Sequence, residues 1–151
     1  MQDRFSRFSY AITEISRHWH RLTADEMAKY GLKGTHSIYL LTLHRYPEGL
    51  TAPQLCELCD RDKADVSRMT AIMEEKGLVT KTCVGNSKYR GVFRLTDAGI
   101  AAAEQVQRRA SLAVSLAGKD LNEENREIFY ASLESILNNL RQLSKDGLPE
   151  E

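Results

Sequence analysis

The chain has 151 residues, 42% apolar and 28% charged, with 21 basic and 21 acidic residues and so no net charge. That balance belongs to an ordinary folded domain rather than a disordered chain, and no apolar run reaches membrane-spanning length. Three cysteines build no disulfide framework, and the opening MQDRFSRFSY has no apolar signal core, so the expected compartment is the cytoplasm, with no membrane partner.

Phe5, Phe8, Ile12, Ile15, Trp19 and Leu22 recur at three- and four-residue steps, which predicts a long helix with one apolar stripe. Gly31 and Gly34 interrupt it. A second helix follows with Ile38, Leu41 and Leu40 as its inward candidates, and Pro47-Glu48-Gly49 is a turn signal. Thr51 and Gln54 have the spacing of a capping box, and Pro53 fits a first turn, where the amide has no helical partner. The short helix they start should face inward through Leu55 and Leu58. Asp62 caps the next helix, with Val66, Met69, Thr70 and Met73 on its buried face. Lys63, Asp65, Ser67, Arg68 and Ala71 are left outward. Gly77 stops that helix, with Leu78 as the apolar contact beyond it.

Leu78–Thr82 and Val92–Leu95 read as two strands around the turn residues Gly85-Asn86-Ser87. Thr96 caps an alanine-rich helix carrying Ile100, Ala103, Val106, Ala110, Ala113, Val114 and Ala117. Leu121 and Asn122 start the last helix, striped with Ile128, Phe129, Leu133, Ile136, Leu137, Leu140 and Leu143. Two short helices, a β-hairpin and another helix, in that order, form the layout of a winged helix-turn-helix. From Arg61 to Arg94 basic residues exceed acidic ones by four, and the rest of the chain carries the opposite balance. A local basic face on a neutral protein is the electrostatic footprint of a DNA-reading module. The first and last stripes have too much apolar surface for one compact lobe to cover, which predicts packing on each other and on a second subunit.

The segments LTAPQLCELCDRDKADVSRMTAIMEEKGLV and, after the wing, LTDAG make this chain resemble the MarR family, the multiple antibiotic resistance regulators. The likeness runs from about Phe5 to Leu143. It implies a mainly α fold forming one domain over residues 1–151. Residues 32–95 would be a winged-helix DNA-binding lobe, and residues 1–30 and 97–145 dimerisation helices. It also implies a homodimeric transcription factor on operator DNA, often a repressor relieved by a small molecule or an oxidant. Ser67 and Arg68 match family positions that meet DNA. Many members carry Asp-x-Arg in the wing; here Arg90 supplies the guanidinium, but Lys88 stands where the acid would be.

The DNA-contact candidates are Lys63, Asp65, Ser67, Arg68, Lys88 and Arg90. Ser67 offers a hydroxyl to phosphate, and Arg68 can take phosphate or the guanine edge. The alternative for Arg68 is a solvated pair with Glu74 or Glu75. Asp65 is odd on such a face, and its place three residues after Asp62 suggests capping. Trp19, His36 and Tyr39 are candidates to line an effector pocket, with core packing as the alternative. Cys56 and Cys59 form a C-x-x-C that reads as two small buried residues. A redox switch or half a zinc site is the competing reading, and Cys83 near the wing is an oxidant-sensing candidate. Nothing in the spacing of His18, His20, His36 and His44 forces them onto one metal. No nucleophile elbow, phosphate loop or paired-carboxylate arrangement is present, so neither an enzyme nor a cofactor is expected. The competing functions are a metal- or redox-responsive regulator and a winged-helix protein-interaction module without a DNA target.

Overall fold

The structure is a computed structural model describing residues 3–83 and 91–150; the expected wing tip, with Lys88 and Arg90, lies outside the described residues. Its elements are α1 (Arg4–Ala28), a 3-10 turn (Gly34–His36), α2 (Ser37–Arg45), β1 (Leu50–Thr51), α3 (Ala52–Cys59), α4 (Lys63–Glu75), β2 (Val79–Cys83), β3 (Gly91–Leu95), α5 (Asp97–Ala117) and α6 (Glu123–Asp146). This is the mainly helical winged helix-turn-helix that the sequence predicts. Among the described residues no helix is long and apolar enough to cross a membrane. The chain divides into two compact units, one ending at Ala110 and one starting at Ser111.

The first unit holds a single core, to which Met27, Tyr39, Leu40, Leu43, Leu55, Val66, Met73, Phe93 and Ala103 contribute. Its sheet is antiparallel in the order β1-β3-β2, with Leu50 opposite Phe93 and Val79 opposite Leu95. The sequence pattern predicts β2 and β3 but not β1. Thr51 does double duty there: it pairs with Val92, and it caps α3 through the reciprocal box with Gln54. In α3, Leu55 is buried as expected, but Leu58 is 45% exposed and Cys59, four residues on from Leu55, is only 2% exposed. A two-turn helix buries its i and i+4 positions, and the small thiol fits where Leu58 was expected. The inward phase of α2 also differs. Tyr39, Leu40, Thr42 and Leu43 are buried, whereas Ile38 and Leu41 are half-buried. The run SIYLLTLHR is apolar on every side, so its spacing does not select a face.

α4 is specified locally at both ends. The Asp62 carboxylate accepts the Asp65 amide at 2.7 Å. At the other end Gly77, at φ +72°, closes a Schellman turn in which Gly77 N–H donates to the Glu74 carbonyl and Leu78 N–H to that of Met73. The buried face between them is Val66, Met69, Thr70 and Met73, as the sequence predicts. The turn joining α3 to α4 passes through Asp60 in the left-handed region at φ +52°. A short polar side chain tolerates that conformation better than other non-glycine residues do.

α1 opens on a capping carboxylate, Asp3, and buries only Met27. The rest of its apolar stripe, from Phe5 to Leu22, is exposed on the single chain. In the second unit Asn122 caps α6 by accepting the Asn125 amide at 2.8 Å, and Arg126 donates to the carbonyls of Gly118 and Leu121. α6 buries no residue: Ile128, Phe129, Leu133, Ile136, Leu137, Leu140 and Leu143 are all exposed.

Candidate nucleic-acid interface

α4 is held by its apolar face, so its other face is presented as a fixed surface. Lys63 opens the helix, and Ser67, Arg68 and Ala71 follow along one exposed side. Arg61, which the sequence reading did not single out, is exposed in the turn before the helix. Together with Asp60, Asp62, Asp65 and Arg68 it lines an open cleft of about 420 Å³ at the start of α4. The signal for Arg61 was available as a basic residue between a helix end and a cap.

Asp65 is neither a cap nor a free surface charge. Its amide is the group that Asp62 caps, and its side chain faces the other way. Carboxylate Oδ2 accepts the Tyr39 hydroxyl at 2.5 Å, and Oδ1 accepts Arg68 Nη2 at 2.7 Å. Tyr39 is fully buried. The Tyr39 hydroxyl bond, followed by the charges of Arg68 and Arg61, holds the Asp65 carboxyl below its usual range despite some desolvation. Burial, reinforced by the Asp65 bond and charge, pushes the tyrosine well above its ordinary value, so it stays a neutral donor. Arg68 therefore pairs with Asp65 rather than with Glu74 or Glu75. The pair is 62% exposed on the arginine side chain and 21% on the aspartate, so it adds little to stability.

The suggested effector-pocket residues are not gathered on that cleft. Tyr39 and His36 are buried in the first unit, whereas Trp19 is part-exposed on α1. His36 Nδ1 lies 3.0 Å from the Lys33 amide nitrogen and 3.2 Å from the Lys33 carbonyl oxygen. Burial lowers the pKa of His36, so the neutral ring is favoured. No group of three or more His, Cys, Asp or Glu among the described residues is placed to hold a metal ion. Lys88 and Arg90 fall outside the described residues; of the nearby basic side chains, Arg94 donates to Thr82 Oγ1 at 2.7 Å and Lys81 lies over the Phe93 ring.

Residues 30–86 match the model of the MarR family. The whole chain has that fold. It superposes with a TM-score of 0.76 on a MarR family transcriptional regulator from Listeria monocytogenes solved with 26mer DNA, at 20% identity, covering 100% of this chain and 99% of that one. The Staphylococcus aureus MepR–DNA complex matches at TM-score 0.76 and 22% identity, over 88% of this chain and 97% of that chain. A MarR transcriptional regulator from Methanosarcina mazei matches at 0.77 and 18% identity, over 90% and 97%.

Within the first unit the cysteines differ in environment. Cys59 is buried and its Sγ lies 3.7 Å from Thr42 Oγ1; Cys56 is half-buried and Cys83 exposed. Burial pushes the Cys59 thiol pKa up, away from the reactive thiolate. Iodoacetamide on the native protein should therefore label Cys83 first and leave Cys59 unlabelled until the chain unfolds, as read by peptide mass spectrometry. Labelling of Cys59 as fast as Cys83 would contradict the packing role.

Proposed function

We propose that the chain is a sequence-specific DNA-binding transcriptional regulator that acts as a homodimer on a pseudo-palindromic operator. The observation that carries this is the outward face of α4, where Lys63, Ser67 and Arg68 stand on a helix locked from behind by Val66, Met69, Thr70 and Met73. Two proteins of the same fold were solved with DNA, which supports the same use here. Lys63, Ser67 and Arg68 are the contacts from α4, with Lys88 and Arg90 as the wing contacts expected from sequence. The family resemblance adds the reading of a repressor relieved by a small-molecule effector.

The exposed apolar residues of α1 and α6 support a second copy as partner. Apolar stripes of this length are rarely left to water on a monomer, and a two-fold assembly would present two α4 helices to half-sites one DNA turn apart. Selection from a random duplex pool tests the reading: an inverted repeat should be enriched, and no enrichment would sink it. The full chain should run as a dimer in light scattering. A chain ending at Gly118 should run as monomer or aggregate and bind the selected duplex more weakly; a well-behaved dimer from that truncation would remove α6 from the interface.

A further inference from the structure

We infer that Asp65 is a specificity-determining positioning residue, a carboxylate anchored on the buried Tyr39 hydroxyl that aims Arg68 at a base edge and keeps it off the phosphate backbone. The inference rests on the proposal that α4 reads DNA. A carboxylate on a DNA-facing helix is costly for affinity, since it meets a polyanion. Here it is built in rather than incidental. Tyr39 comes from α2, 26 residues away, is fully buried, and spends its hydroxyl on Asp65 Oδ2. The other oxygen, Oδ1, takes Arg68 Nη2 at 2.7 Å. One end of the arrangement is thus locked in the core, and the other holds the most exposed of its three side chains.

Two consequences follow for recognition. An arginine free to turn finds the nearest phosphate, which carries no sequence information; an arginine held by one nitrogen offers its remaining donors in a fixed direction, as bidentate recognition of guanine requires. The carboxylate also offsets the arginine charge, so Arg68 contributes less to sequence-independent attraction. Selectivity is gained at the expense of non-specific affinity, and the anchor makes the direction reproducible.

The experiment uses the full chain, the duplex that wild type selects from a random pool, single-base-pair variants of it, and a mixed-sequence duplex of equal length. Arg68→Ala first identifies the base pair whose preference depends on that arginine. Asp65→Asn keeps the shape and can still accept the Tyr39 hydroxyl, but it loses the charge pair. It should lower discrimination at that base pair by roughly tenfold or more, as expected when a bidentate contact is lost. It should also raise affinity for the mixed duplex and steepen the salt dependence by about one phosphate contact. Tyr39→Phe should move discrimination the same way by a smaller factor. In an Arg68→Ala background, Asp65→Asn should leave base preference unchanged. An equal gain by Asp65→Asn on all duplexes would make Asp65 a plain electrostatic brake and overturn the inference. So would an equal loss on all duplexes accompanied by a lower melting temperature, which marks a merely structural role. A wild type that selects no duplex would overturn the DNA reading itself, an outcome separate from these.

Discussion

Arg68→Ala should weaken binding to the selected duplex by about 1–3 kcal/mol, roughly five- to 150-fold, and should flatten the preference at one base pair in each half-site. The size comes from two effects of the same sign. The arginine's own contact is lost, and the Asp65 carboxylate that it covers at 2.7 Å is left facing the DNA without its partner. Lys63→Ala removes a charge from the same face but uncovers no such carboxylate, so its loss should be smaller and even across sequences. If Arg68 touched only phosphate, its removal would also act evenly and would reduce the salt slope by about one contact. Fold damage is not expected to confuse the result, because the Arg68 side chain is 62% exposed and packs on nothing in the core. Competition binding on the selected duplex, its single-base variants and a mixed-sequence duplex, at two salt concentrations, separates the cases. Unchanged affinity at physiological salt would remove Arg68 from the interface.

The parts of the fold legible in the sequence are those decided within one turn of helix. Asp62 and Gly77 bracket α4, because a cap and a left-handed stop each act on backbone groups three to five residues away. The buried face of α4 is legible because apolar and polar residues alternate sharply along it. α2 lacks that contrast, and its inward phase is set by the surrounding core rather than by its own pattern. β1 is invisible for a different reason: a two-residue strand exists only through its pairing with Val92 and Phe93, some forty positions on. The same distinction governs the candidate site. Lys63, Ser67 and Arg68 can be read from helical spacing, but the partner of Asp65 cannot. Its nearest acid–cap relation in sequence is with Asp62, and that local relation suggested capping. The bond that sets its role comes from Tyr39, which only tertiary packing brings near.

Gly99→Ala is expected to destabilise the protein, although alanine is the better helix former by about 1 kcal/mol. Gly99 sits in the first turn of α5, where Thr96 joins three elements. The Thr96 amide donates to the Leu78 carbonyl at 3.0 Å, its hydroxyl donates to the Gly77 carbonyl at 2.7 Å, and the same hydroxyl oxygen accepts the Gly99 amide at 3.0 Å. The start of α5 is thereby drawn against the chain leaving α4. A Cβ placed on Gly99 would lie 2.0 Å from the Leu78 carbonyl oxygen and 3.0 Å from its carbon. Both atoms are backbone, and the oxygen is already fixed by the Thr96 amide, so neither can step aside as a flexible side chain would. Relief requires α5 to move away from Leu78, which weakens the Thr96 bonds and loosens the packing of Ala102, Ala103 and Val106. Overpacking of this kind costs typically 1–3 kcal/mol, and the rigid neighbour places this site at the upper end, above the gain in helix propensity. Thermal unfolding of the full chain should show a lower midpoint, by about 2–4 °C for each net kcal/mol at this size. Because Leu78 also closes the last turn of α4, binding to the selected duplex should weaken alongside. This accounts for the glycine of the LTDAG segment as a steric necessity. A midpoint equal to or above wild type would show that α5 can shift without loss, and that the close approach at Leu78 is not what requires glycine there.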